Sequence, residues 1–100
     1  MCALRIRDLD VEQTKKFLCL NDVDIGVAES LCNCGFNGRM LASFRYEDYF
    51  NFSFNYQVKM SSSIALDLMY IRDRFGRRLI NNSKFVALLM HPHALIDVPK

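Results

Sequence analysis

The chain has no tryptophan, and only four glycines, two prolines and two histidines stand among its 100 residues. So few breakers leave a handful of places where a helix is expected to stop: Gly35, Gly76 and Pro92, with a tight connection at Asn37-Gly38. No apolar stretch reaches the roughly 18 to 20 residues that a membrane-spanning helix needs, and Arg5, Arg7, Asp8 and Asp10 interrupt the start, which argues against a signal peptide. The expected setting is cytoplasmic, away from membranes. A strong excess of one charge is missing as well: 13 basic and 11 acidic side chains leave +2 and a pI near 8.4, too mild to be a nucleic-acid footprint by itself.

Reaction chemistry is also scarce. His91 and His93 flank Pro92 near the C-terminal end without a serine or cysteine partner in sequence context, so neither a nucleophile with its base nor an acid/base pair is assembled. No enzyme, small-molecule substrate or cofactor is expected. Cys2, Cys19, Cys32 and Cys34 sit among core-type residues and read as reduced small hydrophobes. A zinc site would have to join Cys32 and Cys34 to His91 and His93, but cysteines two apart point roughly 200° apart on a helix and lack the usual spacer. A calcium loop over Asn21 to Cys32 fails because Val23 and Ile25 occupy ligand positions and Cys32 replaces the closing Glu.

What is present is apolar periodicity. With 51% hydrophobic residues the chain supports one domain with one core. Asp10 followed by Gln13 is a capping-box variant, and it predicts a first helix to about Leu20 with Val11, Phe17, Leu18 and Leu20 inside and Glu12, Lys15 and Lys16 wet. Asp22 or Asp24 caps a second helix carrying Ile25, Ala28, Leu31 and Cys32, which Gly35 stops. Asn37-Gly38 reads as a tight reversal before a very short third helix with Met40 and Leu41. A fourth helix of about two turns is predicted over Tyr46 to Phe50. The last and longest, Val58 to Phe75, shows Met60, Ile64, Leu68, Ile71 and Phe75 at one helical face, with Asn55 as its cap and Gly76 as its stop, roughly 30 Å in all. Leu66, Met69 and Tyr70 form a second apolar patch on it that asks for another cover. The run from Lys84 to Met90, helix or extended segment, is expected to pack back on that helix.

These parts in this order resemble a sterile alpha motif (SAM) domain. The likeness rests on Val11 and Phe17-Leu18, the Asn37-Gly38 turn with Met40-Leu41, Phe44 with Glu47-Asp48-Tyr49, and Phe54 ahead of the last helix. Phe17 stands where many members have Trp, Ser53 where a Leu-Gly-Ile has its glycine, and residues around Val58-Lys59 replace a Gly-x-Arg. The resemblance implies an all-α, five-helix SAM-like bundle over residues 10–76, after a leader of residues 1–9 and before a C-terminal extension of residues 77–100. It also implies a non-enzymatic protein-interaction module, pairing with itself or another such domain head to tail. One partner surface would be an acidic mid-surface of Asp22, Asp24, Glu29, Glu47 and Asp48; the other would be the helix-end surface of Phe54, Tyr56, Val58 and Lys59. Because some members bind RNA hairpins, Arg72, Arg74, Arg77, Arg78 and Lys84 form the alternative, RNA-binding set. A third reading is a docking part of a larger chain that never self-associates.

Overall fold

The computed structural model describes residues 5–75. A 3-10 turn, Ile6–Asp8, precedes five helices: α1 Val11–Leu20, α2 Ile25–Asn33, α3 Gly38–Ser43, α4 Tyr46–Tyr56 and α5 Ser62–Phe75. There is no strand among the described residues, so the class is all-α. The main packing partners are α1 with α2, α3 with the 3-10 turn, and α5 with both α3 and α4.

Local chemistry explains each start. The Asp10 carboxylate accepts the Gln13 amide at 2.8 Å while Gln13 Oε1 accepts the Asp10 amide at 3.0 Å, the reciprocal box that the sequence predicts. Asp24, and not Asp22, caps α2, with its carboxylate on the amides of Gly26 and Val27. Asp22 instead holds the left-handed turn between the helices at φ 70°. The α2 helix ends on Gly35 at φ +82°, where the Gly35 amide reaches the Cys32 carbonyl and the Phe36 amide the Leu31 carbonyl, both at 3.0 Å.

The core gathers Ile6, Leu9, Phe17, Leu18, Ala28, Leu31, Phe36, Leu41, Tyr49, Phe52, Val58, Ala65, Leu68 and Ile71. Phe36, Phe44, Tyr49 and Phe52 stack mostly edge to face, with centroids 5.2 to 6.1 Å apart, and tie the α2–α3 connection to α4. At the far end, Phe75 closes α5 against Phe17 of α1 at 5.1 Å.

Several expectations need correction. Helix α4 runs 11 residues, not two turns, because no breaker interrupts Asn51 to Tyr56. It stops at Gln57, which takes the left-handed conformation at φ 57°, and the Val58 amide then folds back on the Ser53 carbonyl at 3.1 Å. Helix α5 therefore starts at Ser62, and its first turn is capped by the Ser61 hydroxyl on the Ile64 amide at 3.2 Å; Asn55 caps nothing there. Its 14 residues span about 21 Å, shorter than expected. Lys16, expected in water, is buried. The stretch read as a leader supplies two core residues, Ile6 and Leu9, at 1% and 3% exposure.

Gly38 differs most in role. Asn37 is not a reversing residue but an extended N-cap whose side chain accepts the Met40 amide at 3.0 Å, and Gly38 is the first residue of α3. A Cβ at Gly38 would lie 1.9 Å from the Ile6 carbonyl oxygen, and the Gly38 amide donates to the Leu9 carbonyl at 3.0 Å. The glycine is there for close approach of two backbones. Gly38→Ala is expected to cost about 3 kcal/mol or to push the 3-10 turn off α3, because neither colliding group is a flexible side-chain end. Gly35→Ala, with open space around it, should cost only about 1 kcal/mol for its positive φ. Urea denaturation of both variants checks the order.

Tyr49 is fully buried, yet its hydroxyl has no hydrogen-bond partner. Burial pushes its pKa upward, while the nearby Arg72 guanidinium opposes the shift. The unfolded chain then loses this proton before the folded one does, so stability falls as pH rises above the ordinary tyrosine value of about 10. Tyr49→Phe removes the orphan hydroxyl and should be neutral or stabilising by up to about 1 kcal/mol at pH 7. It should also flatten the alkaline loss measured by denaturation between neutral pH and the alkaline limb.

Candidate functional site

Surface residues of two kinds bear on function: carboxylates, and large apolar side chains held out of the core. The five expected acidic residues do not act alike. Asp24 is committed to the first amides of α2, and Asp48 accepts the Arg45 amide at 2.8 Å at the start of α4. Both are caps, with negative charge at the positive end of a helix. Asp22 is exposed in its left-handed turn, Glu29 lies 3.9 Å from Lys15 across the α1–α2 pair, and Glu47 is exposed in the first turn of α4. The carboxylates thus fall into an α1–α2 group and an α4 pair.

The helix-end surface is rearranged. Phe54 and Tyr56 lie in the last turn of α4 and not ahead of a fifth helix, and they are 85% and 55% exposed. Val58 is removed from the surface: it is 6% exposed and belongs to the core. Lys59 is exposed in the five-residue connection that leads to Ser62. The free amides of the α5 start belong to the serine run, and the Ser62 hydroxyl meets the Tyr46 hydroxyl at 2.8 Å. Sequence periodicity missed this because Met60 falls on the α5 stripe by spacing while lying outside the helix.

Of the alternative basic set, Arg72 is already engaged: its guanidinium donates to Asp73 and, at 2.8 Å, to the Phe44 carbonyl. Arg74 stands 5.3 Å from the Phe75 ring centroid. Arg77, Arg78 and Lys84 lie outside the described residues, as does the segment expected to pack back on the last helix. Leu66 and Tyr70 of α5 are exposed, at 55% and 66%, and Met69 is half-buried.

Among the other cations, Arg5, Arg7, Arg39 and Arg45 are all exposed, and the contact of Gly38 with the 3-10 turn, read from sequence as a turn, brings the backbones at Arg7 and Arg39 near each other.

The cysteines are unpaired among the described residues. Cys32 Sγ lies 3.5 Å from Glu12 Oε2, and burial, reinforced by that carboxylate, pushes its pKa upward. Burial does the same for Cys19. Raised thiols are poor nucleophiles at neutral pH. Among the described residues no three His, Cys, Asp or Glu side chains are grouped to hold a metal ion, and no helix is long and apolar enough to cross a membrane.

The cap assignment is directly testable. Asp24→Ala and Asp48→Ala should each cost about 1 kcal/mol, whereas Glu47→Ala should stay within about 0.5 kcal/mol of the parent in thermal melts. Compared with protein-family models, with curated proteins and with solved structures, the chain matches none.

Proposed function

We propose that the chain is a SAM-like protein-interaction module, without catalytic activity, that associates head to tail with itself or with a similar domain. The observation that carries this reading is Phe54. Its ring is 85% exposed near the end of a three-turn helix that is held in the core by two other aromatic residues, Tyr49 and Phe52. A bulky apolar side chain on a rigid element costs little conformational entropy when a partner covers it, which is how anchors at interfaces work. Tyr56, 55% exposed with its ring 4.8 Å from that of Phe52, adds apolar area at the same end of α4, and Lys59 adds a single positive charge. The opposing surface is acidic; Asp22 and Glu47 are its members without a capping role or an ion pair among the described residues, since Asp24 and Asp48 serve their helices and Glu29 lies 3.9 Å from Lys15. Because the two surfaces differ, the contact is heterologous and leaves an unused surface at each end of a pair, so pairs grow into open chains.

Light scattering after size exclusion should show molar mass rising with concentration for the parent chain. Phe54→Ala should weaken that association by about 30-fold, the loss of roughly 2 kcal/mol expected at an anchor. Its thermal stability should not change, because the ring is outside the core. A parent chain that stays monomeric at every concentration contradicts self-association, and an unchanged mass profile for Phe54→Ala contradicts the anchor.

A further inference from the structure

Helix α5 carries apolar side chains on its outer side as well as its inner one. Ala65, Leu68 and Ile71 are buried, whereas Leu66 and Tyr70 are 55% and 66% exposed and Met69 is half-buried. Residues three and four apart on a helix share a face, so Leu66, Met69 and Tyr70 form one strip, about 6 Å long at the helical rise. No other exposed large apolar side chain among the described residues is so paired: Ile25, Tyr46, Phe54 and Tyr56 have no exposed apolar neighbour three or four positions away.

We propose that this strip is the docking site of the chain's own residues 85–90, in the same molecule. Those residues, which lie outside the described ones, read Phe85-Val86-Ala87-Leu88-Leu89-Met90, the longest uninterrupted apolar run in the sequence. The run is too short to span a membrane, and so many successive apolar side chains need a cover in water. The strip on α5 needs one too. Each supplies what the other lacks.

Reach and concentration decide in favour of the same molecule. Nine residues, 76 to 84, separate Phe75 from Phe85. Leu66 lies nine positions back along α5 from Phe75, about 14 Å at the helical rise, while nine connecting residues span up to about 30 Å. The connection is long enough to turn back with chain to spare, and Gly76 directly after α5 permits the positive φ that a reversal uses. A short tether holds a segment at an effective concentration on the order of millimolar, about a thousandfold above a second copy present at micromolar. The strip is also the exposed apolar surface nearest in sequence to that tether, only five residues from Tyr70 to Phe75. Covered from within, it is withdrawn from partners, whether or not Phe54 anchors one.

The test uses nuclear Overhauser contacts in the full chain, recorded on labelled protein and then on labelled mixed with unlabelled protein, so that contacts within one molecule are separated from contacts between two. The Leu66 methyls and the Tyr70 ring should show contacts to Val86, Leu88 or Leu89 within one molecule. In Leu66→Asp, which sets a charge in the strip, the contacts from Tyr70 to the run should be lost while that of Phe17 with Phe75 is kept. Leu66→Ala serves if the aspartate variant does not fold. Contacts found only between molecules give the strip to a second copy and overturn the proposal. Absence of any contact between strip and run overturns it as well and leaves the strip to a foreign partner. Tyr70 contacts that persist unchanged in the folded Leu66 variant show that the run sits elsewhere than on this strip, which also overturns it.

Discussion

The contact between Gly38 and the backbone of Ile6 and Leu9 is the constraint on which the rest of this fold depends. It brings two chain segments to a separation that only a residue without a Cβ tolerates. Through it the 3-10 turn becomes one wall of the core, with Ile6 and Leu9 nearly free of solvent, and α3 gains a neighbour that its six residues alone would not secure. Helix α3 also meets α5 and, less extensively, α1, so one short element joins the 3-10 turn to the last helix of the described residues.

Around that junction, the charged residues divide between holding helices and remaining available. Asp10, Asp24 and Asp48 complete helix starts, which fixes their carboxylates in place. Glu29, Glu47 and Asp22 have no such task. The aromatic residues divide in the same way: Phe36, Phe44, Tyr49 and Phe52 form one interlocked cluster, whereas Phe54 of the same helix as Tyr49 and Phe52 is 85% exposed. A segment that is rich in aromatic residues thus serves the core on one side and leaves a large apolar ring in solvent on the other, which is the observation behind the proposed interaction role.

Much of the architecture was legible in the sequence because it is set by local rules. The Asp10 box, the Asp24 cap and the Gly35 stop each depend on residues within a few positions of one another. The α4–α5 boundary was not, since Gln57 adopts the left-handed conformation that sequence readers reserve for glycine and asparagine, and the Ser53 hydroxyl then bonds the Val58 carbonyl to secure the bend. That shift moved Val58 from the expected binding surface into the core. Gly38 was noticed for the wrong reason, because a glycine required for a distant contact looks the same in sequence as one required for a turn. The packing of the 3-10 turn on α3 was invisible for the same cause: it is a tertiary fact with no local signature.

The central claim is that the Gly38 junction is a rigid part of the folded unit, and amide hydrogen exchange followed by NMR reads it directly. The Gly38 amide bonds the Leu9 carbonyl across 29 residues of chain, at 3.0 Å. It should exchange as slowly as the amides of α1, through global unfolding only. Exchange at the rate of an open loop amide, with α1 still protected, would show that the 3-10 turn leaves α3 readily, and the core contribution of Ile6 and Leu9 would lose its foundation.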